Sequence, residues 1–171
     1  MKGMGSMTSF THFNQQGRAQ MVDISAKQDS ARTAVARALI SVNEQIYRQI
    51  LDGTNHKGDV LAVAQVAGIM AAKNTANLIP MCHPIPLSGV NIEFHWQVDE
   101  SSDTYILGID AEAKTVSATG VEMEALTAAT VAALTVYDMC KSAGKGMVIQ
   151  QTMLQRKTGG VSGDYTVADP T

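Results

Sequence analysis

The chain has 171 residues, 45% of them hydrophobic, and a formal net charge of -3, enough for one globular domain with a sizeable core. A mildly acidic balance and only 5% aromatic residues exclude the basic surface and stacking rings on which bulk nucleic-acid binding depends. Every apolar run is interrupted before bilayer length, no basic-then-apolar signal opens the chain, and two cysteines without C-x-x-C spacing fit a reducing compartment, so the expected location is the cytoplasm.

Residues 1–10 read as a tag or mobile N-terminus, 11–165 as a single domain and 166–171 as a mobile C-terminal tail. Thr11 to Gly17 is a polar loop, and Asp23 and Lys27 follow it four residues apart in a stretch without a helical pattern. Arg32 to Val42 alternates as a strand. Asn43 then caps a short helix from Glu44 to Leu51, which Gly53 stops. A polar turn over residues 54–59 ends at a capping Asp59, and Val60 to Leu78 is expected to form one long helix that Pro80 terminates. Around Gly68, the alanines at 64, 67, 71 and 72 offer a small-residue surface for close helix packing.

Three prolines, Pro80, Pro84 and Pro86, stiffen the loop that carries Met81, Cys82 and His83. Val90, Ile92, Phe94, Trp96 and Val98 alternate with polar residues, and Tyr105, Leu107, Ile109 and Ala111 repeat the pattern after a turn at 101–103, which predicts an antiparallel hairpin. A final strand is expected from Met147 to Lys157, with Gly159, Gly160 and Gly163 making a flexible tail beside Asp164. This order predicts an α+β fold with helices packed on one face of an antiparallel sheet.

The stretch from Thr119 to Lys141 is unlike the rest. Between Ala125 and Tyr137 threonine supplies the only polar side chains, so a helix here must be covered on several sides. Carboxylates stand at its start and an Asp-x-x-Lys pair, Asp138 and Lys141, at its end. At about 1.5 Å per residue Glu124 and Asp138 lie roughly 21 Å apart along a helix, too far for one small ligand. Either the first carboxylates fold back on a strand or turn, or a second subunit brings the opposite end alongside.

Cys82, His83, Cys140 and His56 do not have the compact spacing of a zinc site, and no metal ligand set is expected. Cys82 and His83 are adjacent, which directs their side chains apart and disfavours a nucleophile-base pair. Lys57, Lys141 and Lys157 each stand at the end of an element, where an ammonium can face a phosphate. No Gly-x-x-x-x-Gly-Lys is present.

Lys57-Gly-Asp59, Met81-Cys-His-Pro84, Thr119-Gly-Val-Glu-Met-Glu-Ala-Leu126, Tyr137-Asp-Met-Cys-Lys141 and Lys157-Thr-Gly-Gly160 together resemble the MoaC family of molybdenum cofactor biosynthesis, in order and over nearly the whole chain. The resemblance implies a ferredoxin-like subunit and a homohexamer, a trimer of dimers, with active sites at subunit interfaces. It implies a lyase that converts 3′,8-cyclo-7,8-dihydroguanosine 5′-triphosphate, the product of a preceding radical SAM enzyme, to cyclic pyranopterin monophosphate with release of diphosphate. Matched by position, Asp138 and Lys141 are the acid/base pair. Met81, Cys82, His83, Glu122, Met123 and Glu124 are substrate-binding, and Lys57, Lys157 and Lys27 face the triphosphate. No tightly bound cofactor is implied, with Mg²⁺ accompanying the triphosphate as an open question. Ala118 and Val161 stand where relatives often carry lysine. The alternative reading is a nucleotide-binding oligomeric module that has lost turnover.

Overall fold

The computed structural model describes residue 14 and residues 16–161 and 163–168. The boundary expected at residue 10 lies outside them.

Alternation of small and branched side chains makes β1, Ser30–Val42, a two-faced strand. After it come α1 (Glu44–Leu51), α2 (Val60–Lys73) and a one-turn α3 (Thr75–Leu78). The hairpin is β2 (Leu87–Asp99) and β3 (Thr104–Ser117), and α4 (Glu122–Cys140), β4 (Val148–Thr158) and a two-residue β5 (Tyr165–Thr166) complete the chain. The sheet order is β2-β3-β1-β4-β5, and all neighbours are antiparallel. A β-α-β-β-α-β run with its first and third strands central is the ferredoxin-like arrangement.

One face of the sheet is dry. Ala34, Ala36, Ala38 and Ile40 of β1 and Leu107, Ile109, Ala111 and Ala113 of β3 are fully buried. They meet Ala125, Ala128, Ala129, Ala132 and Ala133 of α4, also fully buried. Alanine on both sides lets the helix lie close to the strands, so tight packing rather than side-chain bulk fills the core. Gly68 lets α2 approach in the same way. A Cβ there would strike the tip of Ile92 and stand 3.0 Å from the Ala128 carbonyl oxygen.

The opposite face is polar. Arg37 and Asp110 are register partners on β1 and β3, and their side chains form a two-pronged pair at 2.6 Å. The outer surface of the helix layer is not polar: Val63, Val66 and Met70 of α2 and Leu134 of α4 are about half exposed. No helix among the described residues is long and apolar enough to cross a membrane.

The structure departs from the expected elements in three places. Residues 60–78 are not one helix but two. The Asn74 side chain donates to the Met70 carbonyl, and the Thr75 hydroxyl reaches the carbonyls of Ala71 and Ala72, so side chains compete with the backbone ladder there. The second hairpin strand runs to Ser117 rather than Ala111, because Glu112, Lys114 and Val116 face outward while Ala113, Thr115 and Ser117 keep the buried register. The glycine-rich end is tied down: Asp164 accepts from the Gly159 amide at 3.0 Å, and β5 pairs with β4. The Val167 amide extends that pairing to the Gln155 carbonyl at 2.8 Å, and residues 169–171 lie outside the described chain.

Candidate active site

The two ends of α4 carry two different clusters. At its N-terminal end the proline-stiffened loop brings Met81, Cys82 and His83 over Glu122, Met123 and Glu124. These six, with Lys27 and the Thr119-Gly120 turn, line a cavity of about 450 Å³. His83 Nε2 lies 2.7 Å from the Val22 carbonyl, which fixes the ring and draws residues 22–27 across the cavity as its outer wall.

Glu124 is 4% exposed, and that burial raises its carboxyl above the usual carboxylate range, with Glu122 adding to the effect. The Cys82 thiol is also raised, first by burial and then by the Glu124 charge. Both groups favour their protonated forms more than free side chains do. The pair is suited to binding the hydrogen-bonding edge of a neutral ring rather than a cation.

A second hollow of about 210 Å³ adjoins this cavity and shares Lys27, Thr119, Gly120 and Glu122 with it. Its further lining brings in Arg32, Lys157 and Gly160. Arg32 Nε donates to the Ser117 carbonyl at 2.8 Å, and Lys157 Nζ lies 3.7 Å from Glu122 Oε1. Gly160, at φ 82°, sits where a Cβ would collide with the Arg32 guanidinium, so the chain turns there only as glycine. Three cations, Lys27, Arg32 and Lys157, and one carboxylate, Glu122, line this hollow. The residues expected to be lysine in relatives also line it, Ala118 partly buried and Val161 95% exposed.

At the C-terminal end of α4, Asp138 is held by two ammonium groups. Lys141 Nζ donates to Oδ1 at 2.6 Å. Lys57, from the turn before α2, donates to Oδ2 at 3.2 Å and to the Asp138 carbonyl at 2.8 Å. The hydrogen bonds from Lys141 and Lys57 hold the Asp138 carboxyl below its ordinary range, and the same bond to Asp138 raises Lys141. In this free chain the pair therefore favours the Asp138 carboxylate and the Lys141 ammonium.

Residues 21–160 match the sequence profile of the MoaC family. The chain belongs to the MoaC family. It is 61% identical over 159 residues to the "Cyclic pyranopterin monophosphate synthase" of Halalkalibacterium halodurans, covering 93% of this chain and 95% of the relative. Proteins of the same name from Staphylococcus haemolyticus, 58% identical over 93% and 99%, and Geobacillus thermodenitrificans, 61% over 93% and 97%, are equally well covered.

The structure brings the MoaC-matched residues together in two groups rather than one. Met81, Cys82, His83, Glu122, Met123, Glu124 and Lys27 share the first cavity, and Lys157 joins through Glu122. Within one chain Lys57 stands with Asp138 and Lys141 rather than in the hollow that Lys157 lines. Glu124 and Asp138 are on one unbroken helix, so the fold-back that would have united them is ruled out, and the ends stay roughly 21 Å apart. Cys82 and Cys140 belong to opposite ends, and the described residues contain no group of three or more His, Cys, Asp or Glu able to hold a metal ion. Arg32 was missed in the sequence because it sits in an alternating strand, 85 residues before the Ser117 carbonyl that orients it.

Proposed function

We propose that this MoaC chain is a cyclic pyranopterin monophosphate synthase of molybdenum cofactor biosynthesis, acting on 3′,8-cyclo-7,8-dihydroguanosine 5′-triphosphate. The observation that carries the reading is the cavity of about 450 Å³ adjoining, through the shared Lys27, Thr119, Gly120 and Glu122, a hollow that Arg32 and Lys157 also line. A purine-derived ring fits the first space and a triphosphate the second. Closure of the cyclic phosphate has a substrate hydroxyl attack the α-phosphorus while the bond to the β-phosphate breaks and diphosphate leaves. The three cations neutralise the charge that builds on the phosphate oxygens in that step. Ring rearrangement needs proton transfers, and Asp138 and Lys141 supply an anionic acceptor and an ammonium donor already joined at 2.6 Å.

A complete site takes the cavity of one chain and the Asp138 cluster of another. The half-exposed Val63, Val66, Met70 and Leu134 give the helix layer an apolar outer face for such contact. The assembly is a homohexamer, a trimer of dimers, working in the cytoplasm on the product of a radical SAM enzyme. It holds no cofactor of its own, and Mg²⁺ arrives with the triphosphate as part of the substrate.

A second reading, nucleotide binding without turnover, draws on Ala118 and Val161, which line the hollow without charge. The intact Asp138 and Lys141 pair favours catalysis. Single-turnover conversion of the cyclised triphosphate, followed by diphosphate release, separates the two. Turnover by the parent that is lost in Asp138→Asn and Lys141→Ala, with assembly intact, supports the enzyme; tight binding without diphosphate release in the parent overturns it.

A further inference from the structure

The turn over residues 54–59 carries Lys57 to the end of α4, yet five of its six residues are solvent-exposed. Asn55 is the exception, 7% exposed. Its side-chain oxygen accepts from the Lys57 amide at 2.9 Å, and its side-chain amide donates to the buried Cys140 Sγ at 3.7 Å. Its own carbonyl accepts from the Gly58 amide at 2.9 Å, closing the turn at a left-handed glycine with φ 94°. One buried side chain thus shapes the loop that presents Lys57 and ties that loop to the last turn of α4, two residues beyond Asp138.

An ammonium on a four-carbon stem gains little from an exposed ion pair, because holding a long side chain in one geometry costs entropy. The distance from Lys57 to Asp138 is therefore set by where the backbone of the turn stands. We propose that Asn55 is a positioning residue for the proton-transfer cluster, placing Lys57 on Asp138 by clamping the 54–59 turn to Cys140. The inference deepens the proposed function and rests on it for its kinetic consequence, though not for its structural one.

The charged groups that reach Asp138 are Lys141 on its own helix end and Lys57 from the turn; His56 of the same turn, the Cys140 thiol and Tyr137 make their recorded contacts elsewhere, with Ser142, Asn55 and the Lys145 carbonyl. Burial pushes the Cys140 thiol up to about 11, so it adds no charge beside the carboxylate near neutral pH. If the clamp is cut, Asp138 loses one of its two cations and titrates at a higher pH.

The test is a carboxyl ¹³C titration of Asp138 in the parent, Asn55→Ala, Asn55→Ser and Cys140→Ala, with kcat and KM measured beside it. Serine keeps an acceptor for the Lys57 amide, and Cys140→Ala removes only the anchor. Expected for Asn55→Ala are an upward-moved Asp138 titration and an acid limb of kcat moved the same way. Its kcat falls about ten- to a hundredfold, and KM stays within about twofold. Asn55→Ser recovers most of both changes, and Cys140→Ala shows part of them. An Asp138 titration unchanged in Asn55→Ala overturns the proposal, as does Asn55→Ser behaving no better than alanine. If the parent itself does not turn over, the proposed function fails, and the titration still decides the role of Asn55.

Discussion

Val161→Lys isolates the phosphate half of the site. Val161 is 95% exposed at the rim of the hollow that Lys27, Arg32 and Lys157 face, so a lysine there displaces no packing and stability should move by less than about 0.5 kcal/mol. Its exposure also fixes the size of the gain. Two unit charges 4 Å apart in water are worth about 1 kcal/mol, which is about fivefold in binding. Lys157 is different: its side chain is only 19% exposed, closer to the regime where the same separation is worth about 4 kcal/mol before desolvation is subtracted. Steady-state kinetics at low salt should therefore show KM for the triphosphate substrate falling about fivefold in Val161→Lys, with kcat unchanged. The gain should fade toward 1 M salt, where the Debye length is about 3 Å. Lys157→Ala should raise KM by more than Val161→Lys lowers it. An unchanged KM at low salt in a folded, assembled Val161→Lys, or a gain indifferent to salt, would refute the assignment of this hollow to phosphate.

Three further outcomes follow from the geometry. Burial raises the Glu124 carboxyl, so the native state holds its proton more tightly than the unfolded chain and stability falls as pH rises through that window. Glu124→Gln should accordingly melt higher than the parent at pH 7 and equally at pH values below about 4, by calorimetry. Gly68→Ala places a Cβ against Ile92 and 3.0 Å from the Ala128 carbonyl, and should cost about 1–3 kcal/mol in denaturant unfolding. Half-buried Cys82 lies in the cavity and Cys140 is fully buried with its thiol up at about 11, so a thiol reagent at pH 8 should label Cys82 first, and substrate should protect it.

Strong periodicity made the hairpin and α1 legible, because burial of one face dictates the pattern of each, and the central helix was legible from its long, almost wholly apolar run. The break at Asn74 was not, since the side chains of Asn74 and Thr75, hydrogen-bonded to preceding carbonyls, decide it and any helical pattern tolerates an Asn or Thr. The continuation of β3 past Ala111 was not legible, since Glu112 and Lys114 bring charge to the solvent face while only small residues, Ala113, Thr115 and Ser117, carry on the buried one. At the site, seven of the residues matched by position line one cavity, while Lys57 stands apart from them with Asp138 and Lys141. Lys57 lies 81 residues from Asp138 in sequence, and their meeting depends on how the 54–59 turn docks on α4, which no spacing records. Arg32 escaped for the same reason.

The central claim is that the two ends of α4 serve one site only when two chains meet. Mixed-subunit complementation tests it most directly: Asp138→Asn and Lys157→Ala chains are unfolded together, refolded and assayed for diphosphate release at a substrate concentration far below the raised KM of Lys157→Ala, where each variant alone is nearly inactive. In a two-fold assembly each hybrid pair contains one site with both halves intact, so random mixing should restore about a quarter of parental activity. Hybrids that form but remain as inactive as either parent mutant would contradict a site shared between chains.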